Sequence, residues 1–157
     1  MSNLLENMNA PVFTVDIDGD SKLDTSNIKN AYILYFYPKD DTPGCTKEAI
    51  EFSENSSYFK VNNITVIGIS KDTVVKHDKF KLKHDLKIIL GSDITGVICE
   101  KFGVWVEKSM YGKKYMGIDR STFLISEKNK IHKIWRKVKV KGHVEEVIKS
   151  SKELLNI

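Results

Sequence analysis

Short apolar runs separated by polar turns predict a set of buried strands. The clearest are Ala31–Tyr37 and Ile64–Ser70, which are continuous and bounded by polar or turn-forming residues. Ala10–Asp16 alternates apolar and polar residues before a turn at Asp18 and Gly19, which predicts an N-terminal hairpin. Continuous apolar runs are typical of strands that are covered on both faces.

Helical spacing predicts the elements between and after these strands. Ala49, Phe52 and Phe59 predict a helix between the two buried strands, which makes a βαβ unit with parallel strands. After the second buried strand, we predict a helix from Asp72 to about His84 with Val75 and Phe80 as anchors, and then a strand at Leu86–Leu90. A helix capped by Ser92 and Asp93 is predicted to run to about Phe102. The C-terminal part is predicted to hold a strand at Ser121–Ile125, a turn at Glu127–Lys130, an antiparallel strand at Ile131–Val140, and a helix with an apolar stripe from Val144 to Leu155.

This order of elements predicts an α/β fold of the thioredoxin-like type. Such a fold is a three-layer sandwich, with a central mixed sheet flanked by helices and, here, an N-terminal hairpin at the edge. The 157 residues are predicted to form one domain (residues 1–157) that buries a full core without disulfide staples. No apolar run approaches the ~20 residues of a membrane helix, and no signal peptide is visible. Two cysteines form no disulfide framework, so a reducing, cytoplasmic location is expected.

Cys45 lies where a loop becomes the first turn of a helix. Turn-forming residues at 40–44 precede it, and helical spacing begins directly after it. At a helix N-terminus, unpaired N–H groups and the positive end of the dipole stabilise an anion, which for a cysteine is the nucleophilic thiolate. The alternative is a small, inert core residue, for which a turn before a helix is an unusual place. The local pattern therefore favours a reactive cysteine.

Residues on both sides of Cys45 and far downstream stand in a family pattern. Pro38, Thr42 and Cys45 form Pro-x3-Thr-x2-Cys, and Arg120 directly precedes a predicted strand. With these motifs the chain resembles the peroxiredoxins, and more narrowly the bacterioferritin-comigratory, or Q-type, subfamily. The narrower resemblance is carried by the segments Thr42–Ala49, Gly103–Trp105, Met110–Ile125 and Trp135–His143, and the match runs from Ala10 to the last helix.

The resemblance implies a thiol peroxidase that reduces hydrogen peroxide and organic hydroperoxides. Cys45 would attack the peroxide and become a sulfenic acid, while Thr42 and Arg120 orient the peroxide and stabilise charge, and Pro38 shields the site from water. No metal or organic cofactor is implied, because the thiol is the redox group. From the residues alone, Arg120 could equally be a surface cation paired with Asp119 or Glu127, and Thr42 a turn residue.

The chain departs from the subfamily in its cysteines. Many members carry a resolving cysteine five positions after the first, where this chain has Ile50, and others carry it in the next helix, where Asp72–Asp85 holds none. Cys99 is the only other thiol. It is either an inert buried residue or a resolving cysteine, and the second role needs Cα atoms within ~7 Å. Because the usual resolving positions hold no cysteine, we expect a one-cysteine mechanism with thioredoxin, glutaredoxin or glutathione as external reductant. The resemblance to Q-type members further implies a monomer.

Two other functions remain open from the residues alone. A thioredoxin-like disulfide reductase lacks its Cys-x-x-Cys pair, since residues 42–45 hold one cysteine. A nucleic-acid-binding module could use the basic stretch 128–141. There, however, Val138 and Val140 alternate with lysines as on the solvent face of an edge strand, and the net charge is only +4. No nucleic-acid or membrane partner is therefore expected. The four histidines have no metal-ligand spacing and are predicted to be scattered on the surface: His77, His84, His132 and His143.

Overall fold

A computed structural model describes residues 4–157 of the chain. The strands are β1 (Thr14–Ile17), β2 (Ser21–Asp24), β3 (Tyr32–Phe36), β4 (Thr65–Ser70), β5 (Ile89–Ser92), β6 (Trp105–Met110), β7 (Lys113–Ile118), β8 (Ser121–Ile125) and β9 (Ile131–Trp135). The helices are α1 (Pro43–Glu54), α2 (Ser56–Val61), α3 (Val74–His84), α4 (Val97–Lys101) and α5 (His143–Leu155), with a short 3-10 helix at Thr25–Asn27.

Seven strands form one mixed sheet in the order β2-β1-β5-β4-β3-β8-β9. The central strands β3, β4 and β5 run parallel, as the predicted βαβ unit requires, whereas β1, β2, β8 and β9 pair antiparallel with their neighbours. Strands β6 and β7 form a separate antiparallel hairpin. The predicted thioredoxin-like sandwich with an N-terminal hairpin is confirmed.

Strand β3 divides the interior into two cores, because successive side chains of a strand point to opposite faces. Ile33 and Tyr35 pack on one face with α1, α2, α3 and α5. Leu34 and Phe36 pack on the other face with α4. Since β3 is buried on both faces, its sequence reads as an unbroken apolar run. The stripe of α5 is likewise confirmed, with Val144 and Val147 buried against the first core.

The segment after α3 differs from the prediction. The strand expected at Leu86–Leu90 lies at Ile89–Ser92, where it can pair with β4. Leu86 and Ile88 are buried, but they pack into the core from the loop before the strand begins. Apolar periodicity alone cannot distinguish a residue that is buried in a strand from one that is buried in a loop. Of the two predicted anchors of α3, Phe80 is buried and Val75 is 62% exposed, so the Val75 prediction is wrong.

The predicted strand Ile131–Val140 is also too long. Strand β9 ends at Trp135, and Lys137 has a left-handed φ of 49°, which turns the chain out of the sheet. Val138 then donates its N–H to the carbonyl of Arg120 at 2.9 Å. The lysines at 137, 139 and 141 were expected on the solvent face of a strand, and this prediction is wrong. They lie in the connection to α5.

The helix expected to run to Phe102 begins later than predicted, and its N-cap residue is Gly96, three residues after the predicted cap Asp93. The Asp93 carboxylate accepts the N–H groups of Ile98 and Cys99 at 3.2 and 2.8 Å, which satisfies donors of the first turn. Helix α4 itself covers only Val97–Lys101. No helix among residues 4–157 is both long enough and apolar enough to cross a membrane.

Candidate active site

Cys45 lies in the first turn of α1, as the sequence predicted. Thr42 is the N-cap and Pro43 the first helical residue, a position that suits proline because its missing N–H would have no helical partner. Only 2% of the Cys45 surface is exposed. Cys45 is therefore buried, as an inert core cysteine would be, and it also lies at a helix N-terminus, as a reactive cysteine would. The polar groups around the sulfur distinguish the two interpretations.

Arg120 joins Cys45 to a second acid. Its Nη2 donates to the Cys45 Sγ at 3.3 Å, and its Nη1 donates to Oε1 of Glu48 at 2.7 Å. Burial alone would lower the pKa of Arg120, but the neighbouring Glu48 and Cys45 raise it above its ordinary value, so the guanidinium stays charged. Gly44 makes room for this contact, because a Cβ there would lie 3.2 Å from Nη2. Arg120 is therefore not the surface cation of the alternative interpretation.

Glu48 is the site residue that the sequence interpretation missed. It follows Cys45 by about one helical turn, and its side chain is fully buried. Burial raises its pKa from 4.5 to about 7 against the opposing effect of Arg120, and the charge of Glu51 adds to the rise. Its second oxygen, Oε2, has no hydrogen-bond partner among the described residues. An acidic residue three positions after the cysteine was the available signal.

Thr42 and Pro38 lie in the loop that leads into α1. The Thr42 hydroxyl donates to the carbonyl of Lys39 at 2.8 Å, so its acceptor lone pairs remain available. Pro38 is exposed two residues after the end of β3. The structure thus places Cys45 and Arg120 in contact and Thr42 at the cap of the same helix. The shielding by Pro38 stays a prediction.

A buried polar network lies behind this loop. The Asp40 carboxylate accepts from the Tyr37 hydroxyl at 2.5 Å and lies 2.6 Å from Nδ1 of His77. His77 also contacts the carbonyl of Gly91 through Nε2 at 2.9 Å. Because a carbonyl can only accept, Nε2 is the donor in this contact. His77 is fully buried, so the prediction of a surface histidine is wrong here.

His143 is the second histidine that the surface prediction misplaced. It is buried beneath the site, where a 2.8 Å hydrogen bond joins its Nε2 to the Thr122 hydroxyl. Burial, helped by the charge of Arg120, lowers its pKa from 6.5 to about 4. His143 is therefore neutral at physiological pH. Alternation and spacing could not reveal either histidine, because each is buried by residues distant in sequence.

Cys99 belongs to the other core. It lies in α4 and is fully buried, and burial together with the Asp93 carboxylate raises the pKa of its thiol well above the ordinary value. Cys45 packs with Ile33 and Tyr35, whereas Cys99 packs with residues of the opposite face of the sheet. Across residues 4–157, no three His, Cys, Asp or Glu side chains are grouped so that they could hold a metal ion.

A thioredoxin-like sheet that presents a buried cysteine and an arginine at a helix N-terminus defines a thiol-based redox protein. The AhpC/TSA family profile matches residues 7–134. A putative peroxiredoxin bcp of Coxiella burnetii is 50% identical over 140 residues, covering 88% of this chain and 93% of the relative. Peroxiredoxin Bcp of Bacillus subtilis is 45% identical over 146 residues, covering 92% and 93%.

Solved structures agree with these relatives. A cysteine-to-serine mutant of PrxQ from Xylella fastidiosa superimposes with a TM-score of 0.92 at 37% identity, over 98% of both chains. The bacterioferritin comigratory protein of Xanthomonas campestris gives 0.85 at 37% identity, over 90% of both chains. The chain belongs to the AhpC/TSA family and, within it, to the Bcp or Q-type peroxiredoxins, which are thiol-dependent peroxidases.

Proposed function

We propose that Cys45 is the residue that reduces hydrogen peroxide and organic hydroperoxides, and that it becomes a sulfenic acid in doing so. The observation that carries this assignment is the 3.3 Å contact between Arg120 Nη2 and the Cys45 sulfur in the first turn of α1. A fixed cation and a helix N-terminus both stabilise the thiolate, which is the nucleophilic form. The X. campestris relative is described by its alkyl peroxide reduction activity, which supports organic hydroperoxides as substrates.

The reaction balances without a further redox group. The thiolate attacks the terminal oxygen of the peroxide, an S–O bond forms, and the O–O bond breaks. Sulfur is oxidised to a sulfenic acid, and the other oxygen leaves as an alkoxide or hydroxide that takes a proton. Arg120 stabilises the negative charge on the thiolate and then on the departing oxygen. The Thr42 hydroxyl, whose proton is committed to Lys39, accepts a hydrogen bond from the peroxide.

The proposed cycle uses one cysteine and an external thiol. Its support is the packing of Cys45 and Cys99 against opposite faces of the sheet, since a disulfide needs Cα atoms within about 7 Å. An external thiol such as thioredoxin, glutaredoxin or glutathione then reduces the sulfenic acid. The protein is further proposed to act as a cytoplasmic monomer.

Intact mass after one equivalent of hydrogen peroxide tests the assignment. We expect the wild type to gain the mass of one oxygen, to be trapped by a sulfenic-acid reagent, and to be reduced again by added thiol. Cys45→Ser should gain nothing and should lose turnover, because the nucleophile is gone. Arg120→Lys should slow oxidation by about 10-fold or more, since lysine cannot donate to both Cys45 and Glu48 in the same fixed geometry. Wild-type rates in Cys45→Ser would refute the assignment.

A further inference from the structure

One buried cation in this site faces two acids. Arg120 reaches the Cys45 sulfur with Nη2 and the Glu48 carboxylate with Nη1, at 3.3 and 2.7 Å. Glu48 has no exposed side-chain surface, so water cannot stabilise its charge. A buried pocket with one positive charge stabilises one anion much better than two. The ionisation of Cys45 and that of Glu48 are therefore coupled.

No other donor competes with Arg120 for the Glu48 carboxylate within the described residues. Its Oε2 lacks a hydrogen-bond partner, as do two other buried oxygens of this region, the Tyr35 hydroxyl and Oε1 of Glu51. An unpartnered carboxylate oxygen in a buried site is a poor place for negative charge and a suitable place for a proton. The raised pKa of Glu48, about 7, agrees with this arrangement.

We propose that Cys45 and Glu48 share a single proton across Arg120. In the reactive state Cys45 is the thiolate and Glu48 is the uncharged acid. Glu48 is then a positioning residue, which acts on the sulfur by leaving Arg120 free to pair with it. This inference rests on the peroxidase function proposed above, because it concerns the same thiolate.

The shared proton also balances the reaction. When the sulfur becomes a neutral sulfenic acid, the departing alkoxide takes up one proton. Arg120 then has only Glu48 as an anionic partner, so Glu48 ionises and releases one proton. The proton released by Glu48 offsets the one taken up by the alkoxide. Oxidation thus moves the negative charge next to Arg120 from Cys45 to Glu48.

The other titratable groups around Glu48 do not change this balance near neutral pH. The Tyr35 hydroxyl on β3 stays protonated, because burial raises its pKa well above the ordinary value. His143 on α5 stays neutral, because its pKa is lowered to about 4. Glu51, on the same helix, only adds negative charge that disfavours ionisation of Glu48. The groups that face Glu48 or its arginine are thus Cys45 and Glu51 from α1, Tyr35 from β3, Arg120 from the β7–β8 connection, and His143 from α5.

The pH dependence of Cys45 oxidation tests the proposal. We compare wild type, Glu48→Gln and the control Glu54→Gln, an exposed glutamate on the same helix. Wild type should show a bell-shaped profile, falling at least about threefold from its maximum by about pH 9 as Glu48 ionises. In Glu48→Gln the oxidation rate should still rise with pH on the acid side, but it should no longer fall on the alkaline side. The amide can accept a hydrogen bond from Arg120 but cannot lose a proton. Glu54→Gln should follow wild type.

A measurement on wild type keeps the test independent of whether Glu48→Gln folds. The infrared difference spectrum on oxidation at about pH 7 should lose the band of a protonated carboxyl and gain that of a carboxylate. An unchanged carboxyl band, or an alkaline fall that persists in Glu48→Gln, would overturn the shared proton while Cys45 oxidation still stands. If Cys45→Ser were oxidised like wild type, the proposed function itself would fail.

Discussion

In the proposed reaction, the chemistry of Cys45 depends on Arg120. It lies in the two-residue connection between β7 and β8, yet it reaches residues 75 and 72 positions earlier in the chain. Two features allow this reach: Gly44 has no Cβ to obstruct Nη2, and Glu48 holds Nη1. An arginine can satisfy both contacts because its donors lie in one rigid plane. A change at Gly44 or Glu48 therefore acts on the sulfur indirectly.

His143 should make the stability of the protein depend on pH. Its folded-state pKa of about 4 lies below the ordinary 6.5, so the unfolded chain binds a proton that the folded chain does not. The contribution of neutral His143 to the free energy of unfolding is complete above pH 6.5. As the pH falls from 6.5 towards 4, about 3 kcal/mol of that free energy is lost. Urea unfolding of wild type and His143→Asn at several pH values measures this loss. Parallel curves for the two proteins over that range would contradict the prediction.

At the scale of elements, the loop between β3 and α1 is bound to α3 along its length. In the first turn of α3, His77 forms the buried pair with Asp40 at 2.6 Å. At its end, Asp41 pairs with Lys83 and His84 at 2.8 and 3.0 Å on the surface. This loop carries Thr42 and leads directly into the turn with Cys45. The position of the reactive helix therefore depends on α3, although α3 contributes no residue to the reacting group.

His77→Ala should be far more harmful than His84→Ala, although both remove a histidine that pairs α3 with an aspartate of the loop. The first change leaves the buried Asp40 with only the Tyr37 hydroxyl as a side-chain partner among residues 4–157, and breaking a buried pair costs about 3–5 kcal/mol. The second removes an exposed pair, and stability should stay close to wild type. Urea unfolding of both variants gives the comparison. Equal losses would show that burial of the Asp40–His77 pair does not matter.

At the scale of the whole molecule, the sheet separates the two thiols. Cys45 belongs to the core under α1 and α5, and Cys99 to the core under α4. Strand β3 supplies side chains to both cores, so the two sulfurs lie on opposite faces of the central sheet. We expect a resolving step between them to require local unfolding.

Cys99→Ser should therefore keep peroxidase turnover within about twofold of wild type when an external thiol is supplied. The Cys99 thiol is buried on the far face of the sheet, and the reduction of a sulfenic acid needs an accessible thiol. Intact mass after peroxide should show no loss of two hydrogens within one chain. Such a loss in wild type, absent in Cys99→Ser, would establish resolution by Cys99. Loss of turnover in Cys99→Ser with an unchanged fold would point the same way.

The elements that local pattern determines were predictable from the sequence. The unbroken run at Ala31–Tyr37, the turn and helix start around Cys45, and the stripe of α5 each depend on neighbours along the chain. The family motif likewise placed Cys45 and Arg120 in one site. Strand limits were not predictable in this way, because a buried residue in a loop, such as Ile88, has the same apolar character as one in a strand.

Only the tertiary structure decided which polar groups are buried together. The contacts of Arg120 with Glu48, of His77 with Asp40 and of His143 with Thr122 join residues far apart in sequence. Each depends on sheet order and on which face a side chain takes, and no local periodicity encodes these. The separation of Cys45 from Cys99 has the same origin. The sequence by itself determined the helix start and the family motif around Cys45, because both are encoded by neighbouring residues. The packing of the sheet decided which polar groups meet in the interior and on which face each thiol lies, because these depend on strand order.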